Sequence, residues 1–146
     1  VLVRTSNKGA EDIQYIKDEY GSRVYSNVGK MVSHCGEEYI GSCGYSSIGG
    51  VMGCTQVEEV LEMRRLFKSM FFLIPGYGAQ GGRAEDVAMY LENGNGGIVN
   101  ASRSVLLAYK KAEGGSRRFD ECSRLEVLRM REEIASACER LGGGQK

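Results

Sequence analysis

The stretch Ile74-Pro75-Gly76-Tyr77-Gly78-Ala79-Gln80-Gly81-Gly82 decides how this sequence is read. An apolar run, Met70 to Ile74, leads into it, and a helix-like segment, Ala84 to Glu92, leads out. Glycines in such a strand-to-helix loop let backbone N–H groups turn toward an anion, and the following helix start adds its positive end. The next apolar run, Gly97 to Asn100, is followed at once by Ala101-Ser102-Arg103. Arg103 therefore stands at the mouth of the next helix with a planar fork of donors that suits phosphate. A cation in a helix's first turn opposes the dipole, which favours a binding role over a capping one. A glycine-rich loop after one strand and an arginine after the next match the phosphate site that many (β/α)8 barrels build after strands seven and eight.

Gly76, Gly78 and Gly81 also satisfy G-x-G-x-x-G, the dinucleotide fingerprint. That fingerprint needs an acidic residue at the end of the next strand to hold a ribose, and usually opens the first unit of its domain. Here the next strand ends Asn100-Ala101-Ser102-Arg103, and the loop belongs to the third unit. The dinucleotide reading is the weaker one.

Working outward, four apolar, β-branched runs read as strands buried on both faces: Val1 to Thr5, Ser47 to Met52, Met70 to Ile74 and Gly97 to Asn100. Helix-like segments follow at Glu11 to Tyr20 (Ile13, Ile16 and Tyr20 apolar) and Gln56 to Lys68 (Val57, Val60, Leu61 and Phe67 on one stripe). Others are Ala84 to Glu92 and Ser102 to Lys110, with an extra one at Val24 to Tyr39. A last amphipathic helix, about 120–141, repeats Leu125, Leu128, Ile134 and Leu141. Thr55 before Glu58 and Glu59 reads as an N-cap. Strands alternating with helices imply a parallel α/β sheet, either half of an eight-stranded barrel or a small open sheet. Arg4 and Ser6 end the first strand on one side by simple alternation.

The 146 residues suffice for one domain. Lysine plus arginine equals aspartate plus glutamate at 19 each, so no global field favours nucleic acid or an anionic membrane, and any anion site is local. No apolar stretch reaches membrane-spanning length. Five cysteines (Cys35, Cys43, Cys54, Cys122, Cys138) without Cys-x-x-Cys argue for reduced thiols in a cytoplasmic protein, not a disulfide framework or zinc site. The sole histidine, His34, lies in a helix away from every loop above, which argues against a catalytic base there. The chain opens without methionine on Val1-Leu2-Val3, and the expectation is a fragment.

Val1-Leu2-Val3-Arg4-Thr5-Ser6-Asn7, Ile48-Gly49-Gly50-Val51-Met52-Gly53-Cys54-Thr55, the Pro75–Gly82 loop and Gly97-Ile98-Val99-Asn100-Ala101-Ser102-Arg103 occur in one order. Together they resemble strands five to eight of the orotidine 5′-phosphate decarboxylases, in the bacterial subgroup with a Thr-Ser-Asn strand end. The resemblance covers the chain to about Tyr109 and implies the C-terminal half of a (β/α)8 TIM barrel. It implies that Gln80 and Arg103 hold the phosphate of orotidine 5′-monophosphate, assisted by backbone near Gly81, Gly82 and Ser102. It further implies that Ser6 bonds the pyrimidine edge, that Gln80 reaches toward the same ring, and that no metal or organic cofactor is needed. Tyr77 receives no role. The family's reaction yields UMP for pyrimidine biosynthesis, through loss of carbon dioxide and protonation by a lysine in an Asp-x-Lys-x-x-Asp cluster. No such cluster occurs in this chain, so the catalytic group is expected in an absent first half and the isolated chain is expected to be inactive. The complete enzyme is expected to be a homodimer. A non-catalytic phosphate-binding half-barrel, or a sugar-phosphate isomerase or aldolase, would share the anion loop.

Overall fold

The computed structural model describes residues 1–54 and 57–142. Four strands, β1 (Leu2–Arg4), β2 (Gly50–Met52), β3 (Phe72–Pro75) and β4 (Gly97–Asn100), form one wholly parallel sheet in chain order. The helices are α1 (Glu11–Gln14), α2 (Val24–Gly36, continued by a 3₁₀ turn over Glu37–Tyr39), α3 (Val57–Leu66), α4 (Ala84–Ala88), α5 (Ser102–Leu106) and α6 (Phe119–Gly142). The Thr55 cap lies outside the described residues, as do the side chains of residues 57 and 58.

A doubly wound sheet reverses its strand order and carries helices on both faces. Here the order β1-β2-β3-β4 never reverses, so right-handed crossovers put the helices on one face. That face is the core. Val3, Met52, Phe72 and Ile74 meet Val60, Met63 and Phe67 of the α3 region, Val87 and Tyr90 of the α4 region, and Met130 and Ala137 of α6. Each fully buried large apolar side chain of this kind contributes roughly 1.5–3 kcal/mol. On the opposite face the register aligns Leu2, Val51, Leu73 and Ile98 in a row across all four strands. Leu2, Leu73 and Ile98 remain 58%, 36% and 57% exposed. One covered face and one bare apolar row describe four units of a (β/α) barrel wall with its interior side open. This strand order is that of consecutive units of a (β/α) barrel.

At the N-terminal ends of the strands, Arg64 is a staple. Its buried guanidinium donates to the carbonyls of Lys68, Met70 and Gly96 at 3.0, 2.9 and 3.3 Å, and lies 4.0 Å from the Phe72 ring centre.

Four expectations are corrected. The first helix ends at Gln14, not Tyr20, because the Asp18 carboxylate accepts the amides of Tyr20 and Ser22 at 2.9 and 2.8 Å and closes a turn there. Its apolar residues Ile13, Ile16 and Tyr20 are exposed. In α3, Leu61 points outward and Met63 takes its place in the core. In α6, Leu125 and Leu141 are exposed, and the seam against α4 and α5 runs through Met130, Ile134, Ala137 and Cys138.

Arg4 departs furthest from its expected place. Regular alternation would put it on the face of Leu2, toward Ser6. Instead the register of β1 on β2 shifts between Leu2 and Arg4, and Val3 and Arg4 are both buried. Such an irregularity re-aims the side chains that follow it. Arg4 Nε lies 2.7 Å from Glu59 Oε2 of α3, and its other nitrogens reach Tyr15 Oη (3.3 Å) and the Gly53 carbonyl (3.5 Å). Glu59 also accepts from Tyr15 at 2.8 Å and from Arg23 at 2.6 Å.

Candidate functional site

Residues 75–83 run from the end of β3 to the start of α4. Gly76 (φ 106°) and Gly78 (φ 73°) take the left-handed backbone that the first bend of the loop requires. The amide of Gly82 donates to the Gly76 carbonyl at 3.1 Å, that of Gly78 to Gly82 at 2.9 Å, and that of Gly81 to Gly78 at 2.9 Å. The loop thus closes on itself, and the amides of Gly81 and Gly82 are used in shaping it. From below, the buried Cys54 supports it, with its amide bonded to the Pro75 carbonyl at 3.1 Å. A Cβ on Gly82 would sit 2.1 Å from Cys54 Sγ, so only glycine fits there. Burial pushes the Cys54 thiol above its ordinary pKa, which keeps it a neutral packing group.

The loop is also held from two sides. Ser104 of α5 accepts the Ala79 amide at 3.3 Å. Tyr77, buried within the loop, donates to Glu133 Oε2 of α6 at 2.5 Å. Burial and this bond to a carboxylate push the Tyr77 phenol up to about 12, and the Tyr77 hydroxyl in turn holds Glu133 below the usual carboxylate range. Beyond the loop, the Asp86 carboxylate accepts the Arg83 amide at 2.9 Å and starts α4.

After β4, Asn100 Oδ1 accepts both the amide (3.2 Å) and the hydroxyl (2.8 Å) of Ser102, which turns the chain into α5. Between this turn and the glycine loop lies a cavity of about 140 Å³. Pro75, Gly76, Tyr77, Ala79 and Gln80 line one wall, and Asn100, Ala101, Ser102 and Arg103 the other. Gln80 folds its amide back over Gly76. Arg103 is exposed, and among the described residues its guanidinium has no hydrogen-bond or ion-pair partner. A room of this size, walled by an uncommitted arginine and a carboxamide, suits a small oxyanion.

The expected site residues therefore separate into groups. Gln80, Ser102 and Arg103 share the cavity, whereas Gly81 and Gly82 shape the loop just behind it. Ser6 stands at the end of β1 against Gly53, whose carbonyl is fixed by Tyr90 Oη at 2.8 Å. Arg4 belongs to the buried cluster with Glu59. His34 is exposed beside Glu37 and is not part of the cavity lining. Asn100, Ser104, Cys54 and Glu133 were missed. Asn100 stood in the same Asn-Ala-Ser-Arg string and was legible as a turn former. Among the described residues no cluster of three or more His, Cys, Asp or Glu could hold a metal, and no helix is long and apolar enough to cross a membrane.

No family model matches the chain. Curated relatives do. The orotidine 5′-phosphate decarboxylase of Clostridium tetani is 58% identical over 137 residues, 94% of this chain and 47% of that protein. That of Clostridium acetobutylicum is 60% identical over 134 residues, 92% of this chain and 47% of its own length. Among solved structures, Leishmania donovani UMP synthase superposes with a TM-score of 0.61 at 25% identity, covering 86% of this chain and 27% of that one. Plasmodium berghei orotidine 5′-monophosphate decarboxylase gives 0.62 at 17% identity, over 92% and 40%, a likeness of fold alone. The chain spans about half the length of the curated relatives it matches. By sequence, then, this chain belongs to the orotidine 5′-phosphate decarboxylase family.

Proposed function

We propose that residues 1–146 are the phosphate- and pyrimidine-binding half of an orotidine 5′-phosphate decarboxylase, its four units being the last four of a (β/α)8 barrel. The observation that carries this reading is the cavity between the glycine loop and the β4–α5 turn, with Gln80 and Arg103, which is unpartnered among the described residues, on facing walls. In it Arg103 and Gln80 hold the substrate phosphate, assisted by backbone N–H groups near Ser102, and Gly81 and Gly82 keep the loop closed around it. Ser6, at the end of β1, takes the pyrimidine edge. The lysine that protonates the carbanion left by loss of carbon dioxide belongs to the other half, since no Asp-x-Lys-x-x-Asp occurs here. This half contributes binding energy: a remote phosphate held firmly can organise the reacting centre elsewhere.

The product is UMP, made in the cytoplasm for pyrimidine biosynthesis by an enzyme that is a homodimer when complete and needs no cofactor. The bare row Leu2, Val51, Leu73 and Ile98 supports completion by another half-barrel, since an apolar row of this kind is a barrel interior. The names of the relatives, at 52–60% identity, favour this reading over a sugar-phosphate isomerase or aldolase.

The test is complementation in vitro. This chain alone should show no decarboxylation of orotidine 5′-monophosphate, and mixing it with a first half that carries Asp-x-Lys-x-x-Asp should restore activity. Turnover by the chain alone, or none from a folded and associated mixture, would overturn the proposal.

A further inference from the structure

Tyr77 sits inside the glycine loop, between the two left-handed residues Gly76 and Gly78. Its ring is buried, and its hydroxyl leaves the loop to meet Glu133, 56 residues further on in α6. Glu133 is held in its turn by Arg129, which also takes Glu126 at 2.8 Å. A second tie lies just past the loop, where Arg140 of α6 reaches Glu85 of α4 at 2.9 Å. A long helix outside the barrel wall thus grips the loop at its first bend and again at the helix it feeds. Burial and the contact with Glu133 keep this tyrosine neutral, so it remains a donor to the Glu133 carboxylate.

We propose that Tyr77 and Glu133 are a positioning pair for the anion site: the bond from hydroxyl to carboxylate fixes the loop so that Gln80 faces Arg103 at the spacing a phosphate needs. The inference rests on the functional reading above and deepens it. Neither residue need touch the substrate. Their effect passes through the closed ring of loop hydrogen bonds from Gly76 to Gly82, which carries Gln80 at its far side. Removing the hydroxyl therefore loosens the placement of Gln80 while the ring of residue 77 still fills its pocket.

The experiment uses the complete decarboxylase containing this half, with Tyr77→Phe, Glu133→Ala, the double variant and Arg103→Ala. For each, kcat and KM are measured with orotidine 5′-monophosphate and with the phosphate-free nucleoside, together with inhibition by inorganic phosphate. Thermal melts verify folding. Tyr77→Phe and Glu133→Ala should each raise KM and the inhibition constant for phosphate by about tenfold, the scale of a lost hydrogen bond to a charged group. The double variant should be no worse than either, and kcat/KM for the nucleoside should fall much less than for the nucleotide, because a truncated substrate keeps only the ring contact of Gln80 and makes no use of the phosphate site. Equal losses on both substrates would mean a merely structural contact and overturn the inference. Unchanged phosphate inhibition in Tyr77→Phe, with Arg103→Ala weakened, overturns the pair alone. Unchanged inhibition in Arg103→Ala overturns the phosphate site and this inference with it. Should Glu133→Ala not fold, Tyr77→Phe, which removes one oxygen, decides.

Discussion

Two arginines stand at the ends of the two outermost strands, and their surroundings are opposite. Arg4 closes β1 and is fully buried, in contact with Glu59, Tyr15 and the Gly53 carbonyl. Arg103 follows β4, is exposed, and has no partner among the described residues. Desolvating a guanidinium costs several kcal/mol unless an opposing charge and hydrogen bonds offset it. The charge of Arg4 is therefore committed to the fold, where it ties β1 to α1 and α3. Arg103 has kept its hydration and its donors, so a dianion can take them at little further cost. Place at a strand end does not assign a role; partners do.

The comparison breaks most directly at Arg103. In the complete enzyme Arg103→Ala should lower kcat/KM by roughly a hundredfold or more, about 3 kcal/mol, with the melting temperature nearly unchanged. A loss of tenfold or less would remove Arg103 from the clamp. Arg4→Met should do the reverse. It leaves Glu59 at the core boundary with only Arg23 as a cation, so stability should fall by about 3 kcal/mol in denaturant melts. A stable Arg4→Met protein with weakened phosphate affinity would mean that Arg4 serves the site after all.

A smaller effect sharpens the contrast between committed and free surroundings. Gly82→Ala would set a methyl 2.1 Å from Cys54 Sγ and 2.8 Å from the Gly76 carbonyl, an overpacking that should cost about 2 kcal/mol. Replacing Cys54 by glycine in the same protein should recover part of it, as read from the midpoints of chemical unfolding. If Gly82→Ala melts like the parent, the loop does not rest on Cys54.

The smallest effect is one of pH. The Tyr77 phenol lies above its ordinary value, at about 12, because of burial and Glu133. A group raised in the folded state stabilises fully below its unfolded value and loses that contribution as pH climbs through the folded one. The contribution of Tyr77 should therefore be intact below about pH 10 and vanish between about pH 10 and 12. Unfolding midpoints of the parent and Tyr77→Phe should converge across that window; parallel curves would contradict the assignment.

Much of this was legible in the sequence. The four apolar runs fell on the four strands because a parallel sheet buried by helices demands apolar, β-branched residues whatever their neighbours. Gln80 and Arg103 could be paired because successive strand ends are neighbours in a barrel. What failed depended on partners distant in the chain. Alternation placed Arg4 beside Ser6, but a register shift turned it toward Glu59, 55 positions away. The bond from Tyr77 to Glu133 left no periodic trace, because two residues on separate elements meet only after α6 packs on α4. The apolar spacing of Leu125 and Leu141 matched a helix stripe, yet smaller residues on the adjoining face, Ala137 and Cys138, allowed closer packing and formed the seam.

The most direct test of the central claim, that Arg103 is free in order to hold a phosphate and that this half carries both walls of the site, is a uridine 5′-monophosphate titration of the folded chain followed by phosphorus NMR, run beside Arg103→Ala. The account predicts a saturable shift of the phosphate resonance that the variant abolishes. Equal binding by both proteins, or none by the parent, would contradict it.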